Sequence, residues 1–198
     1  TAVSYGVGEF DLAGVFNGTS SFINIDALNL PTNNFTVSTW VKTNSVASEY
    51  NMILSTFKNG QGQMYFTFEY NRLLYLDLYS SGGTPLYSPV GSILNNTWYH
   101  CLVTKSSTSG IKLYLNGSLV DSNAITTNLK TNSNGQNRIG HYFSPTPTGF
   151  MNGSIDQVRI FNKALSATEV TTLYNETACT PAACTSGTTN TLDILGDG

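Results

Sequence analysis

The sequence predicts an all-β protein, a two-sheet antiparallel β-sandwich followed by one short C-terminal helix. Three observations carry this. Residues 111–115 alternate, with Ile111, Leu113 and Leu115 on one side of an extended chain and Lys112 and Tyr114 on the other, the period of a half-buried strand. Asn116-Gly117 then separates this run from a returning one, and Asn-Gly supplies the positive φ angles of a type I′ hairpin. Charged residues make up only 11% of the chain, while Thr, Ser, Asn, Gly and Tyr are abundant, a palette of turn formers and strand formers. With 198 residues the chain can close one sizeable core as a single domain.

The elements follow in order. Thr1–Glu9 reads as a lead-in broken at Gly6 and Gly8, and Phe10–Phe16 as the first recognisable strand. After the Asn17-Gly18 turn come a short strand at Phe22, Ile23 and Ile25 and a turn at Leu28-Asn29-Leu30-Pro31. Phe35–Lys42 is apolar on both faces, with Val37 and Val41 opposed to Trp40, and is expected to be central. A polar loop over 44–51 leads to a strand at Met52–Phe57 that ends in Lys58-Asn59-Gly60. Met64–Tyr70 and Leu73–Tyr79 read as a hairpin across Asn71-Arg72. Its alternation assigns Phe66, Phe68, Leu74, Leu76 and Leu78 to the core, and Tyr65, Thr67, Glu69, Tyr75, Asp77 and Tyr79 to the opposite face. Residues 80–96 are loop-rich, and two strands joined by a Ser/Thr/Gly loop occupy 98–115. Asn137–Phe143 and Ser154–Phe161 are the last two strands. Ser166-Ala167-Thr168-Glu169 is a capping box, starting a helix expected to reach Tyr174. From Glu176 the composition turns to Thr, Ala, Gly and Pro, so 1–175 is read as the domain and 176–198 as a connector of the kind that joins tandem modules. Trp40, Phe66, Phe68, Leu113, Val158 and Ile160 are expected in the core.

Four blocks of this chain resemble a known family. They are Ala13-Gly14-Val15-Phe16-Asn17-Gly18, the run from Phe35 to Lys42, the stretch from Trp98-Tyr99-His100 to Leu113-Tyr114-Leu115-Asn116-Gly117, and Gly153 to Ser166 with Glu169-Val170 following. In this order they are similar to the laminin-G-like modules of the concanavalin A-like lectin/glucanase superfamily. The resemblance implies a jelly-roll sandwich that serves as a sugar binder, an adhesion domain or a spacer. It also implies a strand upstream of Phe10, missing from this reading, and a structural calcium ion held by Asp156 and the segment around Asn17. The alternative reading of Asp156 is a turn cap or a partner for Arg159.

A net charge of −3 and a pI near 5.2 give no basic field for phosphate backbones, so nucleic acid is an unsuited partner. No apolar run reaches the length of a membrane span, which excludes membrane insertion by a helix. Cys101, in a strand beside Leu102 and Val103, reads as a small buried hydrophobe, while Cys179 and Cys184 have the spacing of a local disulfide and point to an extracellular, oxidising setting. Glucanases of the resembling superfamily carry a tight acidic cluster on one strand, and none occurs here. Glu69 and Asp77 could approach each other across the hairpin but read as solvated or sugar-binding acids, so catalytic residues are not expected. His100 reads as a structural hydrogen-bonder and His141 as a rim residue. The Asn-x-Ser/Thr triplets at Asn17, Asn34, Asn95, Asn116, Asn152 and Asn175 are about as many as this composition yields by chance.

Two functions are therefore expected. One is a carbohydrate-binding or adhesion module of a larger secreted, cell-surface or phage-fibre protein, contacting a glycan or glycoprotein with Tyr65, Tyr75 and Tyr79 as stacking platforms and Glu69 and Asp77 as hydroxyl acceptors. The other is a structural spacer or virion-surface domain whose tyrosine face packs against a loop or a neighbouring module.

Overall fold

The computed structural model describes residues 2–25, 31, 33–46, 50–58, 61–77, 84–128, 137–142, 149–176 and 192–193, with backbone alone at 57–58, 61–63, 77 and 192–193. Its elements in chain order are β1 (Ser4–Val7), β2 (Leu12–Asn17), β3 (Ile23–Asn24), β4 (Phe35–Thr43), β5 (Asn51–Lys58), β6 (Gln61–Glu69), β7 (Arg72–Asp77), β8 (Leu86–Tyr87), β9 (Trp98–Ser106), β10 (Gly110–Leu115), β11 (Ser118–Asn123), β12 (Arg138–Ile139), β13 (Asn152–Phe161), α1 (Ala167–Tyr174) and β14 (Leu192–Asp193). The larger sheet runs β1-β2-β13-β4-β9-β10-β11, with β14 also pairing to β13, and the smaller runs β3-β12-β5-β6-β7-β8. The Asn116-Gly117 hairpin forms as its sequence demands, with φ of +49° and +74°.

The two sheets meet face to face on one core. The larger contributes Val37, Val41, Val103, Leu113, Ile155 and Val158, and the smaller Leu54, Phe66, Phe68, Leu73 and Tyr75. A second cluster lies on the far side of the larger sheet, where Leu165 and Val170 close over Leu102 and Tyr114. This is why Tyr114, on the polar side of its strand's alternation, is nonetheless buried. Ser166 caps α1, and both halves of the capping box form. Among the described residues no helix is long and apolar enough to cross a membrane.

Several expectations are corrected. Ser4–Val7 is not a lead-in: it pairs antiparallel with β2, Ser4 opposite Val15 and Val7 opposite Leu12. Trp40 faces away from the sandwich core, as its alternation with Val37 and Val41 requires, and is half-buried beneath α1 rather than in the core. Asn137–Phe143 shortens to β12, and the connector contributes β14 opposite Arg159 and Ile160. β13 gains one residue against β4 between Asp156 and Arg159, with Gln157 at φ +50°, so Ile155 and Val158 both reach the core.

The β6–β7 hairpin differs most. Its turn is Tyr70-Asn71, at φ +45° and +56°, with Glu69 opposite Arg72. Residues directly opposite share a face, so Phe66 carries Tyr75 with it and Phe68 carries Leu73. Tyr75 is therefore a core residue, while Leu74 and Leu76 share the outer face with Tyr65 and Thr67. The two faces of β7 are thus the reverse of those expected from its leucines.

Candidate functional site

Five side chains line one row across the outer face of the smaller sheet. Arg138 stands opposite both Asn24 and Ser55, Ser55 opposite Tyr65, and Tyr65 opposite Leu76. The chain leaving β12 folds back over this row, fixed by Ser55 Oγ donating to the His141 carbonyl at 2.9 Å. That brings in an aromatic group. Tyr142 meets Tyr65 edge to face at 5.3 Å, and His141 stacks on Phe150 at 3.8 Å. Phe22 lies 5.6 Å from His141 and takes the Arg138 guanidinium over its ring at 4.3 Å. Arg138 Nη1 also donates to His141 Nδ1 at 2.9 Å, and because a guanidinium cannot accept, the imidazole places its lone pair there. Phe22, Tyr65, Arg138, Tyr142 and Phe150 are half-buried, offering ring faces beside a cationic donor, whereas His141 is buried rather than on the rim.

The remaining expected sugar contacts do not join this row. Tyr75 is withdrawn as a platform because it is wholly in the core. Glu69 shares the outer face with Tyr65 but lies four positions further along β6, about 13 Å away. There it pairs with Arg72 at 3.4 Å, whose guanidinium covers the Tyr87 ring at 3.7 Å. Asp77 stands opposite Met64, about 16 Å along β7 from Arg72, so register sets the two strand positions far apart. Tyr79 lies outside the described residues, as do Cys179 and Cys184. Between the two clusters the outer face is sealed, with Met52, Thr67 and Leu74, opposite one another, at 1%, 0% and 4% exposure.

The implied calcium ligands are not brought together. Asn17 stands opposite Asn152, and Asp156 lies four residues along β13, about 13 Å away. Asn17 Oδ1 already accepts the N–H groups of Thr19, Ser20 and Ser21 at 3.0, 2.9 and 3.1 Å. Asp156 Oδ2 accepts the Phe10 N–H at 2.9 Å, so it caps the turn between β1 and β2. Gly8 permits this, since a Cβ there would lie 2.4 Å from the carboxylate. Among the described residues no cluster of three His, Cys, Asp or Glu side chains could hold a metal.

Sequence reasoning missed one pair, Ser38 Oγ and His100 Nε2 at 2.8 Å. Both are buried in the larger sheet, and the pocket they line encloses about 10 Å³, room for no more than a water-sized molecule. No substrate could reach a nucleophile there, and no carboxylate orients the imidazole. The pair is structural. Burial likewise raises the Cys101 thiol well above its usual range, leaving an inert core residue.

Comparison with known proteins places the fold. No curated protein matches this chain. Domain 4 of AbnA, a GH43 extracellular arabinanase from Geobacillus stearothermophilus in complex with arabinotriose, is 22% identical, with a TM-score of 0.62 over 88% of this chain and 82% of that one. A native heptameric SAP-like pentraxin from Limulus polyphemus is 18% identical, with a TM-score of 0.64 over 92% and 91%. The botulinum neurotoxin serotype D ligand binding domain in complex with N-acetylneuraminic acid is 14% identical, with a TM-score of 0.63 over 87% of this chain but only 45% of its own length. Likeness at these identities is one of fold. The family match is made by sequence and spans residues 17–171, and by it the chain belongs to the concanavalin A-like lectin/glucanases superfamily.

Proposed function

We propose that the domain is a non-catalytic carbohydrate-binding module working outside the cell as part of a larger secreted, cell-surface or virion-surface protein. One observation carries this reading: the row Asn24–Arg138–Ser55–Tyr65–Leu76 with Tyr142, Phe22 and Phe150 around it. Half-buried rings offer π faces to sugar C–H groups, while Arg138 and Asn24 donate to hydroxyls. Support comes from fold relatives described with arabinotriose and N-acetylneuraminic acid. Hydrolysis is not proposed, because register sets the strand positions of Glu69 and Asp77 about 16 Å apart along the hairpin, beyond the roughly 5–9.5 Å that glycosidase carboxyls span.

A second reading, a spacer that contacts protein only, is favoured by the sealed centre of the same face at Met52, Thr67 and Leu74. A glycan array probed with the wild type, Tyr65→Ala and Tyr142→Ala separates them. The expected result is binding by the wild type and a loss of about tenfold or more in each variant, equivalent to about 1.4 kcal/mol. A wild type that binds no glycan leaves the spacer reading standing.

A further inference from the structure

Beneath the C-terminal end of α1, His100 is 1% exposed, yet only one of its ring nitrogens has a partner: Nε2 pairs with Ser38, and Nδ1 has none. The ring lies beside both Trp40, at 5.2 Å, and Tyr174, at 6.0 Å. Tyr174 stacks on Trp40 at 5.7 Å and 22°, and its ring fills the space where Gly117 has no side chain. Two residues beyond, Glu176 pairs with Arg159, whose other nitrogen donates to Gln157 Oε1 at 2.7 Å. The charged and titratable groups around the pocket are thus Arg159 from β13 and Tyr174 and Glu176 from the helix end. Ser38 and Trp40 of β4 and Phe10 add no charge, and the Asp156 carboxylate is engaged by the Phe10 N–H. A second ring proton here would leave one N–H donor unanswered and an imidazolium beside a guanidinium, both costly out of water.

We propose that the Tyr174–Glu176 end of α1 is an acid-operated latch: protonation of His100 drives Tyr174 off the larger sheet. Burial, and then Arg159, lowers the pKa of docked His100 from 6.5 to about 4. Undocking Tyr174 re-exposes the ring and moves its pKa back toward 6.5, so docking is fully favoured above pH 6.5 and weakens as the pH falls toward 4, by at most about 300-fold. Glu169, lowered to about 2 by its hydrogen bond from Lys163 and then by Ser166, stays ionised over this window, so the helix start is not what titrates.

Hydrogen–deuterium exchange of residues 167–176, referenced to β9 and compared at pH 4 and pH 7, tests the latch. In the wild type, helix protection should fall about tenfold or more at pH 4 while β9 stays protected, and His100→Gln should keep the helix closed. Equal loss in both proteins, no loss in the wild type, or simultaneous loss across helix and sheet overturns the proposal. Should His100→Gln fail to fold, Tyr174→Ala at pH 7 must reproduce the open helix on an intact sheet; a helix that stays protected in that variant overturns it as well.

Discussion

Tyr65 and Tyr75 show how differently one residue type is used ten positions apart. Tyr75 shares a row with Phe66 inside the sandwich, while Tyr65 meets Tyr142 on the outside. Tyr75→Ala should therefore cost about 3–5 kcal/mol and Tyr65→Ala about 1 kcal/mol or less, as read by urea unfolding. The reverse ranking would mean that the register of this hairpin is wrong. The alternation of β6 was legible, since Phe66 and Phe68 are core residues. What failed was the relation between the two strands. A two-residue turn makes even positions of β6 face odd positions of β7, and that parity was available in the sequence once a two-residue turn was assumed. The Ser38–His100 contact is of another kind, because 62 residues separate its partners and no local pattern announces it.

At the scale of the element, α1 was legible to the residue because its signal is local: the capping serine and the glutamate three positions on satisfy each other within one turn. Eight residues are nonetheless too few for a helix to persist alone, so its stability comes from Val170 and Leu165 against Leu102 and Tyr114. Ser166→Ala should cost about 1 kcal/mol in denaturant unfolding, and Val170→Ala more. A Ser166→Ala variant as stable as the wild type would show that the cap contributes nothing beyond what packing secures. The β13 bulge was also written in the chain, as a gap of three between Ile155 and Val158 where alternation requires two. β12 shortened for the opposite reason. Beyond Ile139 the chain turns at Gly140, with φ of +82°, onto the outer face and builds the aromatic row, a path set by contacts with Ser55 and Tyr65 rather than by its own pattern.

At the scale of the whole molecule, the family blocks located the sandwich because they fall on strands that pair on both sides: β2, β13, β4, β9 and β10 are consecutive in the larger sheet. The aromatic row lies on the other sheet, among residues those blocks do not contain, which is why the superfamily was readable and most of the candidate site was not. The same separation bears on calcium. Asp156 ties the turn between β1 and β2 to β13 across 146 positions, a closure made by a carboxylate accepting a backbone N–H. An ion bound with a Kd of about 10 μM would add about 2.7 kcal/mol at 1 mM calcium, raising the melting temperature of a domain this size by roughly 5–10 °C. The wild type should instead melt within about 1 °C of the same temperature in 1 mM calcium and in EDTA. Asp156→Ala, which leaves the Phe10 N–H without its acceptor, should lower that temperature equally in both. A calcium-dependent rise in the wild type that Asp156→Ala abolishes would return the ion to this edge and make the turn cap its ligand.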